Sequence, residues 1–454
     1  MLKKYFFKKG AIELANIVSL TMGRAGKLIA YDNGVETITT KDGFSVSRFF
    51  KSKNKYKMAG AKLIRQAATR TVSEVGDGTT GTLVLAREFL KQNIALKDIQ
   101  SFDKDVSNLV NQIVGHNIDL KEELRSIAYI SSNFDKEIAG EVSNAVFENG
   151  VDGSYIIEER YEKGLNYSQV VGYSFKSGYL HNAFVNTSNG SCIYDNPYIL
   201  VKDNYCLADV IDYINTAVRD KNPLVIIGEP DEQVLQSFVK NHLEGVGSFC
   251  LISPTGFGKS RDNFLNDLKA VIGGDFGQCQ KIVVKKHSTI IQHNTDLKDY
   301  VTTLSNTDTL SKAEQDDNQK RIAALKGKVC VFKIGADSVA ELRERKDRLE
   351  DSILSSISAL KKGYVQGGGR YLYNLSFDVK NKKLKKVLQA PYKQILKNAN
   401  LKGISSYTVN NEGETYHLID SALVISTSLK NAWSVAKEIL QTDYVIVENE
   451  NAKR

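Results

Sequence analysis

Near Gly172 the chain changes texture, and that change restricts the folds open to it. Strand-like runs (SYIIEE, PYILVKD, PLVIIGE, SFCLISP and KIVVKKHSTII) alternate with stretches whose apolar residues recur at helical spacing, Leu207–Arg219, Glu232–Leu243 and Ser260–Val271. Strands and helices in alternation cover one another's apolar faces and specify an α/β layer. The segments on either side are richer in helix. A chain that is helical, then α/β, then helical again predicts an α/β domain inserted into a more helical one. Its 454 residues exceed one ordinary core, so two or three domains are expected.

The flanks carry their own signals. Ala11–Met22 sets Ile12, Leu14, Ala15, Ile17 and Val18 at helical spacing and stops at Gly23. KLIAYDNGVETITTKDGFSV then reads as strands broken by turns at Asn33-Gly34 and Asp42-Gly43. Ala59–Glu74 and Thr82–Gln92 are predicted helices joined by GDGTT. From Val339 to Lys361 the sequence is helical and highly charged, with Leu342, Leu349, Ile353, Ile357 and Leu360 on one buried stripe. The glycine cluster Gly367–Gly369 follows, then helix with a short hairpin and no low-complexity tail.

Composition excludes several classes. A net charge of +8 is mild over this length, and the densest basic run, KNKKLKK at Lys380–Lys386, reads as a solvated helix face, so no nucleic-acid partner is expected. The five cysteines are scattered, with no C-x-x-C pair, and the six histidines show no metal-ligand spacing. MLKKYFFKKGAIELA lacks the apolar region of a secretory signal, and no run approaches the ~20 apolar residues of a membrane helix. A soluble cytoplasmic protein is the expectation.

Two glycine-rich loops are candidate phosphate sites. In SPTGFGKS, Gly258, Lys259 and Ser260 supply the second half of a P-loop, but Ser253 stands where the first glycine shapes the nest of backbone N–H groups. A surface loop entering a helix is the plainer account. In GDGTT, Gly76 and Gly78 let the backbone approach an anion at positive φ. Thr79 and Thr80 are placed to cap the next helix, whose N-terminus favours phosphate, and Asp77 offers the hard oxygen that Mg2+ prefers. Locally the same residues also describe a plain Asp-Gly turn with a threonine cap, and both readings stand at this level.

A set of stretches in order extends the picture: TMGRAGK, TITTKDGFSVSR, EVGDGTTGTLVLA, ISSN, FKSGYL, PLVIIGE, GFG, KIGA, RLEDSI, GYVQGGG and APYKQI. Together they resemble the group I chaperonins (the GroEL family), nearly collinearly over the whole chain. The chain is shorter than a typical member, most visibly in its C-terminal third, and lacks the Gly/Met-rich tail. The resemblance implies a multidomain α/β fold with an α-helical equatorial domain at 1–113 and 362–454. An intermediate hinge domain would take 114–170 and 330–361, and an apical domain 171–329.

The resemblance also implies function: a Mg-dependent ATPase that assists protein folding as a homo-oligomeric, seven-membered ring. ATP and Mg2+ would be its cofactors, with K+ an optional further cation, and non-native polypeptides its clients. Carried over by position, Asp42 and Asp351 would be catalytic and Asp77 the metal ligand. Thr21, Met22, Gly23, Lys41, Gly76, Gly78, Thr79, Thr80, Gly81, Ser131 and Gly368 would bind nucleotide. Tyr179, Phe184, Ile211, Ile214, Leu235 and Val239 would bind clients and a lid co-chaperonin.

Departures from the family pattern qualify this. Gly81 replaces a third threonine, Arg24 and Ala25 replace a proline and a lysine, and the acidic residue near the ribose has no evident counterpart. Ala183 and Lys240 thin the client patch, which puts reliance on a lid in doubt. Lys402 falls where a carboxylate should face Lys393 between stacked rings, which implies a weakened ring–ring contact. A non-hydrolysing chaperonin-like scaffold and an unrelated P-loop phosphotransferase using Lys259 are the competing readings.

Overall fold

The computed structural model describes residues 2–32, 37–151, 153–187, 190–305, 311–403, 407–409 and 415–447; the expected Asn33-Gly34 turn lies outside them. The chain divides into two compact units. One comprises Met1–Val151, Glu159–Asn166 and Lys333–Arg454, and the other Asp152–Glu158 and Tyr167–Phe332.

The first unit is built on helices. Leu2–Ser19 and Lys55–Val75 pack with their backbones in contact, since a Cβ at Gly10 would lie 2.0 Å from the Lys57 carbonyl oxygen and one at Gly60 1.9 Å from that of Phe7. This close packing extends the first helix well before Ala11, and it ends at Ser19 rather than Met22. Helix Ala422–Gln441 runs through the core, with Trp433 against Phe89 and Phe102 and its indole N–H donating to Asp103 (2.7 Å). The buried Arg87 of helix Thr79–Lys91 donates to Ser19 (2.8 Å) and Gln394 (3.0 Å), knotting three helices with hydrogen bonds that offset its desolvation.

Helix Val339–Lys362 is capped by Ser338 and carries the expected stripe, with Leu349 and Ile353 fully buried and Leu342, Ile357 and Leu360 half-buried. Small hydroxyl residues complete its packing face. Ser352 donates to Ala128 O (3.1 Å) in helix Lys121–Ser131, and Ser358 to Val75 O (3.2 Å). Arg345, 6% exposed, donates to Gly335 O (2.9 Å) and to Glu137, which itself accepts from the Leu165 amide. Asp42-Gly43 is not a hairpin turn. Strands Ile29–Asp32 and Thr37–Thr40 pair with each other, and Asp42 then caps a new helix, Gly43–Phe49.

The second unit is α/β. Strands Phe249–Ile252, Leu224–Pro230 and Tyr198–Tyr205 are parallel neighbours in that order, with Phe276–Gln278 antiparallel at the edge. Helices Leu207–Asp220, Glu232–Leu243 and Lys259–Ile272 connect them, and the first five residues of Leu224–Pro230 and all of Phe249–Ile252 are continuous runs buried on both faces. KIVVKKHSTII forms two strands, Lys281–Val284 and Thr289–Gln292, paired as a hairpin in a separate sheet of six. Among the described residues no helix is long and apolar enough to cross a membrane.

Asp267, 2% exposed, accepts from Arg321 Nη2 (2.7 Å) and Nε (3.0 Å) and from the Tyr300 hydroxyl (2.9 Å). Removing one partner of such a buried pair strands the other. Asp267→Ala is therefore expected to destabilise the second unit by about 3 kcal/mol. Thermal unfolding checks this, and the double change Asp267→Leu with Arg321→Leu should recover most of the loss.

Candidate active site

GDGTT joins two helices through two glycines in left-handed backbone. Gly76 (φ +78°) closes helix Lys55–Val75, its N–H donating to Val72 O (2.8 Å). A Cβ there would lie 2.1 Å from that of Leu354, so turn geometry and helix packing account for this glycine; it does not line the cavity described below. Gly78 (φ +88°) is the N-cap of Thr79–Lys91, with no side-chain cap bond. Thr79 and Thr80 therefore do not cap the helix as expected but form its first turn. The orphan N–H groups and dipole of that turn make a site for negative charge.

That helix start opens onto a cavity of about 820 Å3 lying wholly within the first unit. Asp77, Gly78, Thr79, Thr80 and Gly81 form one wall. Thr21, Met22 and Gly23 join it from the loop after the first helix, where the Thr21 hydroxyl lies 3.5 Å from that of Thr80. Lys41 and Asp42 line it at the start of helix Gly43–Phe49; both Asp42 oxygens accept N–H bonds, from Phe44 (3.0 Å) and Ser45 (2.6 Å). Ser131 adds its position at the end of helix Lys121–Ser131, though its hydroxyl donates back to Ile127 O (3.0 Å). Asp351 enters from helix Val339–Lys362 and Gly368 from the glycine cluster. Of the expected nucleotide, catalytic and metal residues, Gly76 alone lies outside.

A two-stranded pairing supplies what the sequence reading missed. Tyr364–Gln366 runs antiparallel to Ile419–Ser421, setting Asp420 opposite Val365. Gly367 N–H donates to Leu418 O (2.8 Å) and Gly368 N–H to Asp420 Oδ2 (3.1 Å). Asp420 thus stands in the cavity beside Gly368, an acidic residue at the place left without one. The signal is present in the sequence: LID, Leu418–Asp420, stands directly before Ser421, the N-cap of helix Ala422–Gln441. Ser355, which hydrogen-bonds Asp77, and Asp347, one turn before Asp351, also line the cavity.

Crowding of carboxyls governs the electrostatics. Burial pushes Asp77 up to about 6, and the charge of Asp42 adds to the rise, against the stabilising bonds from Gly78 N–H and Ser355. Part of its surface stays open to the cavity while the rest of the carboxyl is walled by protein. Burial likewise carries Asp351 well above the carboxylate range, helped by Asp77, Asp42, Asp347 and Glu350. Asp420 is pushed to about 6 by burial and then by Asp77. Asp347 rises to about 7 from loss of hydration and from Asp42, Glu350 and Glu344, although its residue surface is exposed at the cavity edge. Among the described residues no three His, Cys, Asp or Glu side chains are arranged to hold a metal by themselves. One carboxylate completed by phosphate oxygens and water is the coordination Mg2+ favours.

The expected client residues divide. Ile211 is exposed, and Tyr179, Ile214 and Leu235 are half-buried against the core of the second unit. Phe184, with no exposed surface, and Val239, at 8%, belong to that core, because their helical faces turn towards the sheet. Lys259, the P-loop candidate, is an exposed side chain of the second unit that pairs with Glu314.

The profile of the TCP-1/cpn60 chaperonins matches residues 14–399. The chain belongs to this chaperonin family. It is 29% identical to the chaperonin GroEL of Orientia tsutsugamushi, over 97% of this chain and 92% of that one, and 28% identical to that of strain Boryong, over 97% and 93%. In fold it is similar to the chaperonin gp146 from the bacteriophage EL 2 (Pseudomonas aeruginosa), crystallised in the presence of ATP-BeFx, with TM-score 0.70, 20% identity, and 99% and 98% of the two chains covered. Membership removes the unrelated P-loop phosphotransferase and establishes a group I chaperonin-like protein with a chaperone role.

Two predictions rest on this cavity. Unfolded carboxyls titrate near 4, whereas Asp77 and Asp420 are held near 6 and Asp347 near 7. Between those limits the folded chaperonin binds more protons than the unfolded chain, so its stability falls as pH rises from about 4 to about 7. Thermal melts in EDTA should show that fall, and Asp351→Asn should flatten it. At Gly81 a Cβ would meet nothing within 4 Å. Gly81→Ala should therefore raise helix stability by up to about 1 kcal/mol, whereas Gly76→Ala, strained and clashing, should lower stability by more than about 1 kcal/mol; denaturant titration separates them.

Proposed function

We propose that this chaperonin binds and hydrolyses Mg-ATP in the cavity of its first unit and uses the cycle to assist folding of non-native polypeptides. One observation carries the reading: an uncapped helix N-terminus and the carboxylates Asp42, Asp77 and Asp351 share one cavity. A bound Mg2+ would neutralise phosphate charge, with Asp77 as its protein ligand. The first-turn N–H groups of Thr79, Thr80 and Gly81 bind phosphate oxygens and the Thr80 hydroxyl adds a donor, while the Thr21 hydroxyl donates to Val18 O (2.9 Å) and holds the neighbouring loop in place. Asp420 and Gly368 take the nucleoside end.

Phosphoryl transfer to water asks the protein chiefly for alignment and a proton acceptor. Asp42, fixed by two backbone bonds, keeps its carboxyl at a set position and orients the water. Asp351, whose raised proton affinity follows from burial and then from its acidic neighbours, takes the water's proton as it attacks. Asp351 belongs to the segment 330–361 assigned to a hinge between an equatorial domain (1–113, 362–454) and an apical one (171–329). A swing of that hinge would complete or dismantle the site and so couple nucleotide state to shape.

The apical segment offers clients Tyr179, Ile211, Ile214 and Leu235, with Leu207 and Val218 extending the exposed apolar line around Ile211. A ring multiplies such lines around one cavity and raises avidity for a flexible chain. Lys393 and Lys402 are both exposed, which favours a single ring or a weak pair.

Single-turnover hydrolysis tests the reading. Asp351→Ala is expected to slow the chemical step by roughly 10^2–10^4 with nucleotide binding retained, while Asp77→Ala should lose Mg2+-dependent binding. Wild-type protein no faster than Asp351→Ala would leave a non-hydrolysing scaffold. Electron microscopy with and without ATP reads the ring, and a stable double ring without nucleotide would count against the weakened contact.

A further inference from the structure

The loop after the first helix carries an arginine whose surroundings suit an anion. Asn398 pins the base of the loop, donating to the carbonyls of Ser19 (2.8 Å), Leu20 (3.3 Å) and Met22 (2.9 Å). Gly26 N–H closes on Gly23 O (2.8 Å), so Arg24 and Ala25 form the tip of a tight, fixed turn. Arg24 lines the cavity, and its guanidinium lies 5.6 Å from the centroid of the Phe134 ring. Phe134 has φ +71° and follows Asn133 at φ +59°, a conformation rarely adopted by a bulky residue and found mostly at functional sites. The ring is in turn held edge-on by Tyr129 (5.5 Å), which stacks on Tyr416 (3.8 Å), over which Arg125 lies (5.4 Å).

The charge around the cavity calls for such a cation. Six described carboxylates line it (Asp42, Asp77, Glu344, Asp347, Asp351 and Asp420) against three side-chain cations, Arg24, Lys41 and Arg348. Arg348 is engaged by Glu344 on its own helix. A polyphosphate entering this field is favoured by each further cation beside the helix N-terminus, and Arg24 and Lys41 are the two that Glu344 does not pair on its own helix.

We propose that Arg24 is a direct ligand of the nucleotide's phosphates, and that Phe134 is the positioning residue holding its guanidinium at the cavity. The inference rests on the proposed ATP site. Arginine's planar fork suits phosphate oxygens, and one face can stay on an aromatic ring while its N–H edge binds the anion. Local strain at Phe134 is the cost of putting that ring in place.

The test is competition binding of ATP, ADP and adenosine against a fluorescent ATP analogue in Mg2+, with folding checked by thermal melt. Arg24→Gln should weaken ATP and ADP about tenfold and leave adenosine within about twofold. Phe134→Leu should weaken ATP about threefold with adenosine again unchanged. Equal weakening of all three ligands in Arg24→Gln, or no change for ATP, overturns the role of Arg24. Wild-type ATP affinity in Phe134→Leu overturns that of Phe134. Wild-type protein that binds no adenine nucleotide overturns the ATP site and this inference together, whereas a variant that behaves as wild type overturns the inference alone.

Discussion

The burial of several carboxyl groups around one cavity is the constraint on which this chaperonin's candidate site depends. Asp42, Asp77, Asp351 and Asp420 come from four separate stretches of chain, and Asp77, Asp351 and Asp420 each suffer from lost hydration and then from a carboxyl neighbour. Such a cluster is costly without a cation or protons. It persists because the surrounding structure leaves these residues no alternative. Asp42 is fixed as a helix cap, Asp420 by its strand pairing, and Asp351 by a helix pinned through Ser352 and Ser358. The cluster thus concentrates negative charge at one wall of the cavity, where a cation is attracted.

Much of this was legible in the sequence, for reasons that differ by residue. The α/β segment and the stripe of helix Val339–Lys362 follow from periodicity, which burial enforces. Asp77 and Gly78 were legible because a left-handed turn before a helix needs glycine and an anion site needs an open N-terminus. Gly76 shares the motif but lies outside the cavity, and its missing side chain makes room for Leu354. Asp420 was obscured because its role depends on a pairing with residues 364–366, more than fifty positions away, and no local signal encodes that register. Asp42-Gly43 misled for a related reason. An aspartate before glycine serves equally as a hairpin turn or a helix cap, and the packing of the next element decides.

The helices of the second unit show the same limit. Both Leu207–Asp220 and Glu232–Leu243 are amphipathic, but amphipathicity fixes only that one face is buried, not which apolar residues remain outside. Val234, Phe238 and Val239 fill the core beside the sheet, while Leu207, Ile211 and Val218, spaced four and seven apart, stay exposed on one face. Phe184, in the short turn Asn182–Phe184, is buried in the same core, a placement that its local sequence does not encode.

Gly81 and Arg24 are best understood together. At Gly81 the cavity has lost a hydroxyl, and no neighbour within 4 Å of the site of a Cβ fills the space. At Arg24 it has gained a guanidinium on a rigid turn in place of a proline's apolar ring. A hydroxyl at a helix start contributes a neutral hydrogen bond, whereas an arginine held against an aromatic ring contributes a charge-assisted one, roughly twice as strong. On the proposed role of Arg24, the balance of the two changes would move part of the phosphate binding from the helix start to the adjoining loop. That loop is joined through Phe134 and Tyr129 to helix Lys121–Ser131, which also packs on the helix carrying Asp351. Grip on the anion and placement of the proton acceptor would then share one packed path, and a divergent site would keep its coupling while losing a threonine.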